Sequence, residues 1–207
     1  MVNNKKNIKV NIYEKYIKRF IDVIISICVL PIFVILYMIV GIAIKMEDGG
    51  SVIYKAKRIG KNCNLLEMYK FRSMKVNADN ILNTDGSTFN SATDKRVTKV
   101  GKFIRVTSID EIPQILNVLK GNMSIIGPRA SGYEALQTYE NYEKDKMKVL
   151  PGITGYTQAY FRNDLSVKEK RLKDVWYANN VSFVLDTKIF FKTIQTVLQR
   201  KNIYTNK

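Results

Sequence analysis

Two carboxylates side by side, Asp110 and Glu111, are the residues of this 207-residue chain best suited to chemistry. They lie in Thr107-Ser108-Ile109-Asp110-Glu111-Ile112-Pro113-Gln114, within a protein of net charge +16. The sequence has no histidine, which removes Ser-His-Asp and Cys-His nucleophile schemes and every His-ligated metal. Its two cysteines, Cys28 and Cys63, are far apart, so neither a disulfide nor a thiolate cluster is expected. Acid–base or nucleophilic work then falls to Asp, Glu, Lys, Tyr, Ser or Thr. A carboxylate at a helix N-terminus sits in the positive end of the macrodipole, which favours its ionised form and suits a nucleophile or a metal ligand. The same pair also serves as an ordinary helix start, with Asp110 as N-cap and Pro113 in the first turn. On the motif alone, capping accounts for it.

The helix opened by Asp110 is expected to gather Ile112, Ile115, Leu116 and Leu119 on one side and to stop at Lys120-Gly121. Ahead of it, residues 51–56 and 65–71 read as two strands across a turn holding Gly60, Asn62 and Asn64. Residues 77–98, polar and containing Gly86, read as a long surface loop. Residues 124–129 read as an extended piece ending in a turn, and 151–155 as a tight loop. The alternating charges of 135–148 suggest a solvated helix without chemistry. A last amphipathic helix is expected over 186–200, either a core helix or one lying on a membrane surface.

Residues 20–44 form an apolar segment, free of charge from Val23 to Ile44. At about 1.5 Å per residue it could cross a hydrocarbon core about 30 Å thick. Pro31 lies near its middle, where it removes a hydrogen bond. Cations flank both ends: Lys15, Lys18 and Arg19 before, Lys45, Lys55, Lys57 and Arg58 after. The positive-inside tendency is best satisfied with both ends in the cytoplasm, through a hairpin broken at Pro31. A plain spanning helix stays equally open on these residues. The run is too long, and lacks the cleavage site, for a signal peptide. The chain divides into a basic segment 1–19, an anchor 20–44 and a cytoplasmic part 45–207. Its positive charge favours anionic partners: phosphorylated metabolites, a lipid surface or nucleic acid. Aromatic residues are not interleaved with the cations as a nucleic-acid stacking platform requires.

Four motifs carry a resemblance. They are Tyr69-Lys70-Phe71-Arg72-Ser73-Met74; Arg105-Val106-Thr107-Ser108-Ile109-Asp110-Glu111-Ile112-Pro113-Gln114; Gly121-Asn122-Met123-Ser124-Ile125-Ile126-Gly127-Pro128-Arg129; and Pro151-Gly152-Ile153-Thr154-Gly155. In this order they resemble the bacterial sugar transferase family of monotopic phosphoglycosyl transferases, and the chain resembles its small members. The resemblance implies an α+β, mainly helical fold: a re-entrant membrane helix hairpin broken at Pro31, a small β-hairpin, and amphipathic interfacial helices around a cytoplasmic catalytic domain. It implies transfer of a sugar-1-phosphate from a UDP-sugar to polyprenyl phosphate at the cytoplasmic face of the bacterial plasma membrane, starting a capsule, O-antigen or glycoprotein glycan. Asp110 would be the nucleophile and a ligand of Mg²⁺, giving a phosphoaspartyl intermediate and UMP in a ping-pong sequence; Glu111 would be its acid–base companion. Arg105, Pro128, Arg129, Arg162, Lys70 and Arg72 would bind substrate, with membrane phospholipid as surroundings and no nucleic acid partner. Which sugar is carried, and the oligomeric state, stay open.

The chain departs from the family pattern at Ala130, at Leu150, at Tyr160-Phe161 before Arg162-Asn163, and in the loop 77–98. These positions bear on nucleotide contacts and sugar choice, and the acid pair is untouched. Two rival readings come from other classes: a membrane-anchored basic protein that binds anionic lipid or nucleic acid without catalysis, and a glycosyltransferase that transfers sugar without its phosphate and so releases UDP.

Overall fold

A computed structural model describes residues 12–79, 81, 89, 91, 93–162 and 164–199. The apolar segment forms one helix, α1 (Lys18–Asp48), preceded by a π-helical turn at Tyr13–Ile17. Helical structure continues through Pro31. The expected interruption there is therefore not seen: one missing hydrogen bond is outweighed by helix on both sides. Gly49, with φ 70°, ends α1 by donating its N–H to the Lys45 carbonyl, the left-handed stop that glycine makes without strain.

One face of α1 is buried, through Lys18, Asp22, Ser26, Phe33, Val40, Gly41 and Ile44. Ile24, Ile27, Ile32, Val34, Ile35, Met38, Ile39 and Ile42 are exposed on the remainder. The helix is long and apolar enough to cross a membrane. Yet its whole length leans on the rest of the protein. Phe33, Val40 and Ile44 pack with Phe71, Ile104 and Ile115 in a core cluster.

Strands β1 (Ile53–Ile59) and β2 (Leu65–Phe71) form the expected antiparallel hairpin, pairing Ile53 with Phe71 and Ile59 with Leu65. Helix α2 (Lys99–Val106) follows, and the sequence reading had missed it. Four of its eight residues are apolar, with Val100, Phe103 and Ile104 at helical spacing, but a run of eight is shorter than the stretch over which that period is read. Thr98 caps it through Oγ1, which accepts from the Gly101 N–H at 2.9 Å. Ser108 then turns the chain through a left-handed conformation (φ 58°) into a 3-10 helix, Ile109–Gln114, continued by α3 (Ile115–Leu119). Asp110 is therefore inside a tight turn rather than at the N-cap of a long helix. Pro113 is the fifth of the six residues of the 3-10 segment rather than part of a helix's first turn.

Strands β3 (Ser124–Ile126) and β4 (Gly152–Thr154) pair in parallel, which corrects the loop expected at 151–155. The solvated helix expected over 135–148 is instead two 3-10 segments, Tyr133–Thr138 and Glu143–Lys148, with Glu143 and Lys146 buried. Both charges are paired, Glu143 with Arg171 at 3.1 Å and Lys146 with Asp174 at 3.2 Å. Burial needs those partners, and they lie too far along the chain for a charge pattern to reveal. Helices α4 (Tyr156–Tyr160), α5 (Val167–Asn179) and α6 (Phe183–Leu198) close the structure. Ten residues of the loop expected at 77–98 lie outside the described residues, as do Arg200 and Lys201 beyond α6.

Candidate active site

The acid pair is presented by β2 on one side and by the segment after β3 on the other. Asn117 of α3 acts as an extra rung on β2: its side chain accepts from the Tyr69 N–H at 2.9 Å and donates to the Glu67 carbonyl at 2.7 Å. This fixes the 3-10 turn against the strand that carries Lys70. Across the pair, Gly127 and Gly152 bring β3 and β4 to backbone contact. A Cβ on Gly127 would lie 2.4 Å from the Leu150 carbonyl oxygen. The Gly127 N–H donates to the Thr154 carbonyl at 2.8 Å, and the Gly152 N–H to that of Pro128 at 3.0 Å. Two sequence motifs thus meet as one ladder, and Pro128 delivers Arg129 to the acid pair.

Lys70 Nζ donates to Glu111 Oε1 at 2.7 Å and stands 3.9 Å from Asp110 Oδ2. Arg129 reaches the same Glu111 oxygen at 3.4 Å. Arg105, at the end of α2, donates from Nε to Ser73 Oγ at 2.8 Å, and its charge is felt at Asp110. Among the described residues, the ion pairs of the two acids are made with Lys70 and Arg129.

Two like carboxylates one residue apart have been driven in opposite directions. Burial pushes Asp110 up to about 6, with Lys70 pulling against it and the Glu111 charge adding to the rise. Burial acts upward on Glu111 too, but Lys70 and Arg129 outweigh it and hold that group down to about 2. Glu111 therefore anchors the cations at short range, while the Asp110 carboxylate, 3.9 Å from Lys70, is held only loosely.

The other expected site residues lie elsewhere. Arg72 is buried and tied to Asp48 at the end of α1, and its backbone N–H donates to the Val52 carbonyl at 2.9 Å. Arg162 sits in the turn after α4 with a left-handed backbone, φ 44°; its neighbour Asn163 is outside the described residues.

With this geometry in view, comparison with known proteins is decisive: the profile of the bacterial sugar transferase family matches residues 13–200. The chain belongs to the bacterial sugar transferase family. It is 36% identical over 206 residues to an undecaprenyl-phosphate galactose phosphotransferase of Salmonella typhimurium, covering 92% of this chain and 42% of that protein. An uncharacterized sugar transferase of Haemophilus influenzae is 37% identical over 202 residues, 92% of this chain and 43% of its own. The uncharacterized sugar transferase EpsL of Bacillus subtilis is 37% identical over 188 residues, 90% of each chain. The chain thus spans less than half the length of the Salmonella and Haemophilus relatives.

In this member of the family, sequence reasoning missed three residues around the site. Asn117 sits among the apolar residues of the helix after Asp110 and was not singled out. Lys146 donates to the Arg129 carbonyl at 3.2 Å from a fully buried position, with Asp174 and Ser131 as its other partners. Arg58 was read only as a flanking cation of the anchor. For Arg58 a signal did exist: it alternates with Ala56 along a strand, which puts both on one face.

Proposed function

We propose that this sugar transferase is a phosphoglycosyl transferase, which moves a sugar-1-phosphate from a UDP-sugar to polyprenyl (undecaprenyl) phosphate. The observation that carries the reading is Asp110: a largely buried carboxylate whose ion pair with Lys70 is long, 3.9 Å, beside a Glu111 that is itself held anionic. An Asp oxygen attacks the β-phosphorus of the UDP-sugar, and the bond from that phosphorus to the bridging oxygen breaks. UMP leaves with that oxygen, and a phosphoaspartyl sugar ester stays on the chain. An oxygen of polyprenyl phosphate then attacks the same phosphorus. The bond to Asp110 breaks, giving the polyprenyl diphosphate sugar and free Asp110.

Lys70 and Arg129 supply positive charge where negative charge gathers in both transfers. A phosphate that draws these cations from Glu111 also raises the pKa of Glu111, so the loaded site turns an anchor into a base. Mg²⁺ is suited to one or two carboxylates together with substrate phosphates and water. Asp110 fits that demand as a single carboxylate held only loosely by Lys70, 3.9 Å away, so that substrate phosphates and water would complete the shell. Bound there, Mg²⁺ would neutralise phosphate charge.

A monotopic arrangement on the cytoplasmic face of the membrane is supported by what α1 touches. At its start Arg19 donates to the Val118 and Leu119 carbonyls, at 2.5 and 2.9 Å, and Asp22 accepts from the Ile125 N–H at 2.9 Å. At its end Glu47 accepts from the N–H groups of Lys99 and Val100, and Asp48 pairs with Arg72. One domain holds both ends, so both belong on one side of a bilayer. The exposed apolar face of α1 is the part that enters lipid.

The deciding experiment is a nucleotide-release assay with detergent-solubilised protein, undecaprenyl phosphate, Mg²⁺ and a panel of UDP-sugars. UMP is the expected product, and Asp110→Asn is expected to abolish its release. Release of UDP would instead support transfer of sugar without phosphate, and near-normal UMP release by the variant would sink the nucleophile.

A further inference from the structure

Arg58 is a cation beside the acid pair that makes no ion pair among the described residues. Its pairing partner across the hairpin is Leu66, while Lys70 pairs with Tyr54. Paired and alternate residues share a face of a sheet, so Arg58, Ala56, Leu66, Met68 and Lys70 all project from one side. That side is the one covered by Ala130, which packs with Ala56, Leu66 and Met68. The residue before Ala130 is Arg129, the partner of Glu111. The end of β1 is stitched to the same segment: the Ile59 N–H donates to the Ser131 carbonyl at 2.9 Å, and Arg58 bridges Gly132. Lys70 and Arg58 therefore stand at two ends of one face, four residues or about 13 Å apart along the strands, with Arg129 over the middle.

The environment of Arg58 calls for an anion. Its Nε is buried without a hydrogen-bond acceptor, and among the described residues it has no ion pair. Glu134 and Arg58 flank Gly132 without closing to ion-pair distance. Burial and the charge of Arg129 both work against its positive charge, with Tyr54, Glu134 and Glu111 acting weakly the other way. Arg129 stands close enough for its charge to be felt at Arg58, and a buried guanidinium with too few acceptors costs free energy until something with several anionic oxygens arrives. Phosphate suits the planar fork of arginine.

We propose that Arg58 binds a phosphate of the nucleotide donor, on the side of the leaving nucleoside monophosphate. This rests on the reading of the site as a phosphoglycosyl transferase centre. Lys70 serves the phosphorus that Asp110 attacks, and the next phosphate lies farther along the same face, toward Arg58.

The test compares UMP with uridine as probes, using the full chain in detergent and the variants Arg58→Gln and Arg58→Lys. Arg58→Gln is expected to weaken UMP binding about tenfold and to leave uridine binding unchanged, because only UMP carries the phosphate. The KM for the UDP-sugar should rise more than kcat falls, and Arg58→Lys should recover part of the loss. Unchanged UMP binding in Arg58→Gln, or an equal loss for uridine and UMP, would overturn the proposal. If Arg58→Gln does not fold, Arg58→Lys decides by the same ratio of UMP to uridine. Phosphate-dependent weakening in a protein that releases UMP from no UDP-sugar would uphold the anion site and end the catalytic reading alone.

Discussion

Asp110 and Glu111 differ by one methylene and one position, and their surroundings give them opposite work. Lys70 and Arg129 crowd one oxygen of Glu111, leaving Asp110 to bear the cost of burial. On the proposed mechanism Asp110 attacks only when ionised, so kcat/KM for UMP release should rise with pH and level off above a midpoint near 6. A flat profile between pH 5 and 8 would count against Asp110 as nucleophile. The same shift sets a stability effect. A group whose folded pKa is raised holds its proton more tightly when folded, so its contribution is full at low pH and is lost as pH rises through about 6. Asp110→Asn removes that loss and should melt a few degrees above the parent at pH 7.5, with no gain below pH 4. Thermal melting at the two pH values reads this directly. Lys70→Met should lower kcat by about 10²-fold and move the pH midpoint upward, because the nearest charge holding Asp110 down is gone.

At the scale of elements, the site is a product of backbone contacts more than of side chains. Gly127 and Gly152 let two three-residue strands touch, and that contact carries Pro128 and Arg129 to the acid pair. Gly127→Ala must push a Cβ against the Leu150 carbonyl, a strain of about 1–3 kcal/mol, and should lower both the melting temperature and UMP release. A variant with parental stability and activity would mean that the ladder has slack. The strands of the hairpin were legible because alternation over seven residues, with turn residues between, has few other outcomes. The parallel pair was not: three-residue strands carry no period, and their partners lie 28 residues apart along the chain. Helix α5 was likewise missed, although Ser166 and Glu169 form a capping box at its start.

At the scale of the whole molecule, α1 behaves as a support as well as an anchor. It is packed along its length by a domain that also grips both ends, so in the proposed one-sided arrangement it would hold that domain at the membrane surface. An N-terminal epitope tag should therefore be protected in intact spheroplasts and detected only after permeabilisation; detection from outside would exclude the one-sided arrangement. The sequence alone determined the apolar helix, the hairpin, the acid pair and the family, because those depend on local periodicity and on motifs that keep their order. It also excluded histidine chemistry by composition alone. Only the tertiary structure decided that Asp110 lies within a 3-10 turn, that Lys146 is buried beneath Arg129, and that Arg58 shares a face with Lys70. Each of these is a relation between residues distant in the chain, and a carboxylate's pKa or a cation's want of a partner is set by such neighbours rather than by its own place in the sequence.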